Sequence, residues 1–213
     1  MSRVFLLSPA HCGGERASLV LGPRARFDLA LRLRASSGAP LGEVFSFLSG
    51  LYFRGKLTYA RAFANPPAGV PGVYVITPTD GLELAETAVD VSRLRRFASV
   101  DIRADDARFR RPLLRHAQRL AESIEPDGEV VLLGSIATPK YVEPLLEALG
   151  ERLRFPSEFV GRGDMSRGGL LLRHARSGVE LDYLPLRGAT RRGARPPRLL
   201  PVSRVVTHRA SPC

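Results

Sequence analysis

The stretch VVLLGSIATPKYVEPLLEALG, residues 130–150, decides the fold. It passes from a short run of branched apolar residues, through a polar loop, into a segment with helical periodicity. The run at 130–134 is typical of a buried strand, whereas Pro139 and Gly150 mark the start and the end of a helix predicted over 139–149. A strand followed directly by a helix indicates a βα unit, whose strand belongs to a parallel sheet.

Working outward, other short apolar runs bounded by turn residues predict further strands. They are VFLL at 4–7, GVYVIT at 72–77, FPSEFVG at 155–161 and the alternating VELDYLPL at 179–186. Helical segments are predicted between them, over 24–35, 40–64 in two parts broken near Ser49–Gly50, 92–98, and 110–124 with Pro112 near its first position. This alternation predicts an α/β fold, with a mainly parallel central sheet covered by helices on both faces in three layers.

The charge is concentrated at the C-terminal end. The formal net charge is +11, and residues 162–213 alone carry 11 Arg against 3 acidic residues. We predict one α/β domain over 1–187 and a basic, Arg- and Pro-rich arm over 188–213 that is extended and partly disordered. Such an arm is typical of contact with phosphate or acidic surfaces, although general enrichment in arginine explains the composition equally well.

Several classes of protein are disfavoured. No run approaches the ~20 apolar residues of a membrane span, and VFLL is too short for a secretory signal, so we expect a cytoplasmic protein with no membrane partner. The Cys and His residues form no zinc pattern, and neither a Walker P-loop nor G-x-G-x-x-G is present. We therefore expect no metal and no cofactor. The oligomeric state is not indicated.

Ligands of open parallel sheets bind beyond the carboxyl ends of the strands. Four polar loops are predicted there, at 8–14, 77–81, 134–140 and 162–169. In the third, Ser135, Thr138 and Lys140 precede or begin a helix, where free N–H groups and the helix dipole favour an anion. For the two hydroxyls, helix capping is an equally good explanation.

Lysine is rare in this chain, which has 2 Lys and 30 Arg. One of the two is Lys140 and the other is Lys56, which lies with Arg54 between Tyr52 and Tyr59. A mixture of basic and aromatic side chains suits a base or a nucleotide, and the alternative is a core-facing aromatic stripe with snorkelling cations. We hypothesise that both lysine positions require a compact ammonium with a tunable pKa, which a guanidinium does not offer.

The segment FVGRGDMSRGGLLLR contributes the remaining dense group of polar residues. Its predicted loop carries Arg162, Ser166 and Arg167, and two arginines there would clamp a phosphate or a carboxylate. Asp164 is either a base or an ion-pair partner of these arginines.

The complete candidate site has the following members. The catalytic candidates are Lys56, Asp80 and Asp164; the phosphate- or ligand-binding candidates are Arg54, Thr79, Ser135, Thr138, Lys140, Arg162, Ser166 and Arg167.

Four stretches, LSPA, LYFRGKLTYARAFA, YVITPTDGL and VVLLGSIATPKYVEPLL, occur in this order between residues 4 and 146. In these short motifs the chain resembles small bacterial YaaA-like proteins and their uncharacterised relatives. The resemblance implies an α/β fold and association with nucleic acid or nucleobases, without an established reaction.

The sequence thus predicts a nucleic-acid-associated α/β protein with a phosphate- or nucleotide-binding site at the carboxyl ends of the strands. A reaction on a nucleotide or base is one option, and whether the protein is an enzyme stays open. Two alternatives remain at this point: a non-enzymatic protein-interaction module with a basic arm, or a small-metabolite enzyme that uses Lys140 to hold phosphate.

Overall fold

A computed structural model describes residues 1–197 and 199. The strands, in chain order, are β1 (Arg3–Leu7), β2 (Ala39–Pro40), β3 (Val73–Thr77), β4 (Gly81–Glu83), β5 (Ala88–Val89), β6 (Glu129–Leu133), β7 (Leu153–Pro156) and β8 (Tyr183–Pro185). Six of them form one sheet in the order β4-β3-β1-β6-β7-β8, and β2 pairs with β5 in a separate ribbon. The inner four strands are parallel, whereas β4 and β8 run antiparallel at the two edges.

The helices, in chain order, are α1 (Glu15–Leu21), α2 (Asp28–Arg34), α3 (Leu41–Ser49), α4 (Leu51–Phe63), α5 (Val91–Ala98), α6 (Ala107–Ser123), α7 (Pro139–Leu149) and α8 (Asp164–Ser177). On one side of the sheet α4 packs against α3 and α8, and on the other α6 packs against α7. The predicted three-layer α/β fold is therefore confirmed.

The core lies where helices cover both faces of the parallel strands. In β6 the side chains from Val130 to Leu133 are all fully buried, because neighbours on both faces exclude water. A strand buried on both sides reads as a continuous apolar run without alternation, which is the pattern that predicted β6.

One predicted break depends on a single glycine. The segment at 40–64 is divided into α3 and α4 at Gly50, whose φ of +60° lies in the left-handed region that favours glycine. The second helix thereby starts in a new direction, with its N-terminus at the carboxyl end of the sheet.

Two predicted helix boundaries are wrong. Pro112 lies inside α6 and not near its start, because the helix begins at Ala107 after Asp106 accepts a hydrogen bond from the Arg108 N–H. The predicted loop at 162–169 is mostly helical, since α8 begins at Asp164.

The strand predicted at 155–161 begins and ends earlier than expected. The residues that pair in the sheet are those of β7, Leu153–Pro156, and a single turn of 3-10 helix over Ser157–Phe159 follows them. The apolar residues of FPSEFVG are thus divided between the end of a strand and a turn that buries Phe159.

The first part of the predicted arm lies against the domain. Residues 189–197 contain no helix or strand, but Ala189 and Leu199 pack against the core and Gly193 approaches Val160. A Cβ added at Gly161 would lie 2.1 Å from the Ala194 carbonyl oxygen, so the backbones touch there. The predicted disorder of the remaining arm concerns residue 198 and residues 200–213, which lie outside the described residues.

The helices α4 and α8 cross at very short range. A Cβ added at Gly55 would lie 2.7 Å from the backbone oxygen of Gly168, and one added at Gly168 would lie 2.9 Å from the backbone oxygen of Leu51. Contacts this short leave no room for a side chain, so a glycine is required on each helix.

We predict opposite effects for alanine at two neighbouring glycines of α8. Gly168→Ala should destabilise the protein by ~1–3 kcal/mol, because the new methyl group would force two backbones apart. Gly169→Ala is the matched control, because among the described residues its Cβ would meet only Leu199, at 3.6 Å. Alanine stabilises a helix interior by ~0.5–1 kcal/mol relative to glycine, so this variant should be as stable as wild type or more stable. Urea unfolding of both variants measures the difference, and equal stabilities would contradict the close crossing.

Candidate functional site

A cavity of about 350 Å³ opens at the carboxyl ends of the parallel strands. β3 lies on one side of β1 and β6 on the other, so the strand order reverses direction at β1. Crevices at such a reversal are the usual ligand sites of open α/β sheets. The lining residues come from the loop after β1, from the segments that follow β3 and β6, from the end of α5, and from the beginnings of α4, α7 and α8.

The N-terminus of α7 faces this cavity without a side-chain cap. Thr138 has the extended backbone of an N-cap residue, yet its hydroxyl makes no capping hydrogen bond and lies 3.4 Å from the Ser135 hydroxyl. The capping role considered for these two side chains is therefore not observed. Pro139 has no N–H, and the N–H groups of Lys140 and Tyr141 in the first turn have no intrahelical partner.

Lys140 adds a full positive charge at the same place. Its side chain lines the cavity, with the ammonium 5.1 Å from the centre of the Tyr141 ring. It forms no ion pair with a described residue. An ammonium and a helix N-terminus both attract an anion. The carboxylates of Asp101 and Asp164 line the same cavity and oppose this attraction.

Two tyrosines form the aromatic part of the wall. Tyr52 from α4 is 6% exposed and Tyr141 from α7 is 4% exposed. Burial raises the pKa of both phenols, although the charge of Arg167 partly opposes this at Tyr52. Both hydroxyls are therefore neutral at physiological pH.

The Tyr52 hydroxyl has no hydrogen-bond partner of normal geometry among the described residues, although it is buried. An unsatisfied buried hydroxyl costs ~1–3 kcal/mol, and each such group in a folded protein calls for an explanation. Arg167 is the polar group that approaches it, since contact with this guanidinium lowers the pKa of Tyr52 against the effect of burial.

Lys56 lies directly behind the cavity. It is 1% exposed, and its ammonium lies 4.6 Å from the centre of the Tyr52 ring and 4.9 Å from that of Phe53. Its Nζ donates to the backbone oxygen of Ser8 and to the Ser8 hydroxyl, the latter at 2.9 Å. Burial lowers the pKa of Lys56 to about 7; the charge of Asp164 acts against this and that of Arg167 adds to it.

Arg167 and Asp164 take different positions at the start of α8. The buried Arg167 guanidinium donates to the backbone oxygens of Phe159 at 2.8 Å and Gly134 at 3.4 Å. It therefore holds the loop after β6 against the turn after β7 and does not reach the lining of the cavity. Asp164 lies at 3.7 Å from Arg167 and lines the cavity, with its side chain 68% exposed.

Several predicted site residues lie elsewhere. Asp80 pairs with Arg93 at 2.8 Å and Arg96 at 3.2 Å, and accepts a hydrogen bond from Thr79. Burial of Asp80 opposes ionisation, but the hydrogen bonds from Thr79 and Arg93 outweigh it and lower the pKa of Asp80. Both residues thus fasten the turn before β4 to α5, and Asp80 has no open face for catalysis.

The remaining candidates are also outside the cavity. Arg54 is exposed on the outer side of α4. Arg162 donates to the Ser166 hydroxyl at 3.3 Å and to the Pro197 backbone oxygen at 3.5 Å, so it fastens the segment after β8 instead of a ligand. The structure therefore brings together Ser135, Lys140 and Asp164 at the cavity, with Lys56 and Arg167 directly behind them.

Most lining residues were not among the candidates predicted from the sequence, including Ser8, His11, Tyr52 and Tyr141. The loop at 8–14 was predicted to lie at the carboxyl ends of the strands, and its hydroxyl and imidazole groups are those of Ser8 and His11.

Cys12 also lines the cavity, but burial raises the pKa of its thiol to about 12, which makes it a poor nucleophile. Among residues 1–197 and 199, no three His, Cys, Asp or Glu side chains are grouped as metal ligands would be.

Comparison of the chain with protein-family models, with curated proteins and with solved structures found no match. None of the helices in the described part of the chain combines the length and the apolar character that crossing a bilayer requires.

The buried ammonium predicts a pH-dependent stability. Burial lowers the pKa of Lys56 from its ordinary 10.5 to about 7. Between pH 7 and pH 10.5 the unfolded state therefore binds one proton more than the folded state. The free energy of unfolding should therefore rise with pH above about 7, by at most ~1.4 kcal/mol per pH unit. Lys56→Met, which keeps the length and removes the charge, should abolish this rise.

Urea titrations of wild type and Lys56→Met from about pH 6 to 8.5 measure the effect. The titration stops at about pH 8.5 because Cys12 has a raised pKa in the folded state. At higher pH its thiol would ionise only in the unfolded state, which would lower the free energy of unfolding. Parallel pH dependences for the two proteins would contradict the lowered pKa of Lys56.

Proposed function

We propose that the cavity binds a nucleotide, with its phosphate at the N-terminus of α7 and its base against Tyr52 and Tyr141. The observation that carries the proposal is the uncapped start of α7 in the same cavity as Lys140, whose ammonium forms no ion pair with a described residue. A phosphate there accepts hydrogen bonds from first-turn N–H groups and is attracted by Lys140.

The size and lining of the cavity fit this class of ligand. Ligand pockets commonly measure ~300–1,000 Å³ and combine aromatic walls with a few placed polar groups. Tyr52, Phe97 and Tyr141 contribute the aromatic part of the wall, each through the small fraction of its ring that is exposed, and aromatic contact with a base is tolerant of base identity. The likeness of four short motifs to YaaA-like proteins, which implies nucleobase or nucleic-acid association, agrees with this proposal and belongs to it.

Lys140 provides the first test. In calorimetric titrations with nucleoside monophosphates, Lys140→Ala should weaken binding about tenfold to a hundredfold, since a hydrogen bond to a charged group contributes ~1.5–3 kcal/mol. Lys140→Arg should recover only part of the affinity, because a planar fork does not replace a compact ammonium. Arg54→Ala, on the exposed side of α4, is the control and should bind as wild type.

Melting curves of the same variants separate a ligand-binding role from a structural one. Removing a charge that opposes the dipole should leave the free protein equally stable or stabilise it by ~0.3–1 kcal/mol. If Lys140→Ala destabilises the protein and binding is unchanged, Lys140 is a structural residue. If inorganic phosphate binds as tightly as the nucleotides, the base contributes nothing and a phosphorylated small metabolite becomes the better ligand class.

A specific observation also favours contact with a nucleic-acid strand. Arg191, Arg192 and Arg195 lie in the segment that packs along the domain, and none forms an ion pair with a described residue. Cations that are held on a surface without acidic partners are typical of phosphate-backbone contacts. This second proposal concerns the polymer, and the cavity would then receive one of its nucleotides.

We predict that the triple variant Arg191→Gln, Arg192→Gln, Arg195→Gln binds single-stranded DNA or RNA more weakly and with less dependence on salt. Each lost phosphate contact should reduce the slope of log K against log salt by ~0.7 for a single strand. Because Ala189 and Leu199 pack on the domain, substitution is a sharper test than deletion of the arm. A flat salt dependence of the wild type would favour an interaction module with a protein partner.

A further inference from the structure

Lys56 reaches the cavity only through Ser8. The lysine is not among the lining residues, whereas Ser8, 5% exposed, lines the cavity at the end of β1. Among the described residues, Ser8 is the only hydrogen-bond partner of Nζ, and no carboxylate pairs with it. A buried lysine without a carboxylate, in contact with a serine hydroxyl at a cavity wall, is an arrangement suited to chemistry at that hydroxyl.

The groups around Lys56 keep its amine easy to deprotonate. Tyr52 faces it from α4 as a neutral phenol, Asp164 and Arg167 approach it from α8 with opposite charges, and Ser8 contacts it from the end of β1. With its pKa lowered to about 7, a large fraction of the amine is neutral near pH 7 and has a lone pair free to accept a proton.

We propose that Ser8 is the nucleophile of an acyl-transfer site and that Lys56 is its general base. The Ser8 Oγ forms a bond to the carbonyl carbon of a small carboxylic ester or thioester, and the hydroxyl proton passes to Nζ of Lys56. The bond from the carbonyl carbon to the alkoxide or thiolate breaks, and that leaving group takes the proton from Nζ. Water then hydrolyses the acyl-serine by the same route, so no other reactant is required.

The carbonyl oxygen has a place for its negative charge. A Cβ added at Gly134 would lie 2.8 Å from the Ser8 Cβ, so the nucleophile packs against the loop that leads into α7. The first-turn N–H groups of α7 and the ammonium of Lys140 lie at that end of the cavity, and donors of this kind stabilise a tetrahedral oxyanion. Serine–lysine pairs are an established variant of the serine–histidine arrangement.

Covalent labelling tests the nucleophile directly. A fluorophosphonate probe should modify the full-length protein once, with loss of fluoride, and peptide mass spectrometry should place the adduct on Ser8. Ser8→Ala should abolish labelling. Ser49→Ala is the matched control, because Ser49 lines the same cavity but receives no hydrogen bond from either lysine within the described part of the chain, and its labelling should equal that of wild type. Labelling at another residue, or none, would overturn the proposal.

The pH profile tests the base. The labelling rate of wild type should rise about tenfold per pH unit below pH 7 and level off above it, because the neutral amine is the active form. Lys56→Met should label at least a hundredfold more slowly, with circular dichroism showing that it is folded. If Lys56→Met does not fold, the wild-type profile decides alone: a rate that keeps rising to pH 9 excludes Lys56 as the base.

Substrate class is tested with two chromogenic esters. With p-nitrophenyl acetate we expect a burst of nitrophenol equal to the amount of protein, followed by slower turnover, and no burst with Ser8→Ala. Turnover of p-nitrophenyl phosphate without reaction of the acetate would overturn the acyl assignment. The inference goes beyond nucleotide binding, which titration of the Ser8→Ala variant measures separately.

Discussion

Helices α4 and α8 meet backbone to backbone at Gly55 and Gly168, and the candidate site is arranged around that contact. Because the two helices cross at this point, the residues beside each glycine are fixed relative to each other and to the end of the sheet. Tyr52 and Lys56 come from one helix and Arg167 from the other, and all three lie within electrostatic range of one another. A side chain at either glycine would separate the helices and disperse these groups.

The same contact explains how a cation can be buried at the end of β1. Lys56 has no carboxylate partner in the described part of the chain, and its burial is offset by two hydrogen bonds to Ser8 and by the faces of Tyr52 and Phe53. Such interactions compensate less than an ion pair, so the amine binds its proton weakly. An apolar side chain of similar length would leave the buried backbone oxygen of Ser8 without this donor, so the amine has a structural role as well as the chemistry proposed for it at the Ser8 hydroxyl.

The parts of the fold that depend on local pattern were predictable from the sequence. The βα unit at 130–150 follows from an apolar run, Pro139 and Gly150, and the break between α3 and α4 follows from Gly50. The segment RGDMSRGG was predicted as a loop because its glycines have low helix propensity. One of these glycines serves tertiary packing instead, since Gly168 is needed where α8 meets α4, and no local pattern contains that information.

The same limit applies to the site. Lys140 and Ser135 were found because a helix start after a strand is a local feature with a known position at the sheet edge. Asp80 was selected by its place in the second polar loop, at 77–81, but its pairing with Arg93 and Arg96 depends on how α5 packs, which periodicity does not specify. Ser8 was missed for the converse reason: its hydroxyl becomes distinctive only because a lysine far along the chain reaches it.

The two lysines of this arginine-rich chain occupy positions that a guanidinium could not serve. A guanidinium stays protonated at all accessible pH values, so an arginine at position 56 would place a permanent, larger cation in a space where only Ser8 accepts hydrogen bonds. Lys140 lies at the cavity wall beside the uncapped start of α7. A compact charge there leaves the first-turn N–H groups accessible to the phosphate of the proposed nucleotide ligand. Lys56 is therefore suited to losing its proton, because it is enclosed by α4, α8 and the end of β1, whereas Lys140 faces the cavity.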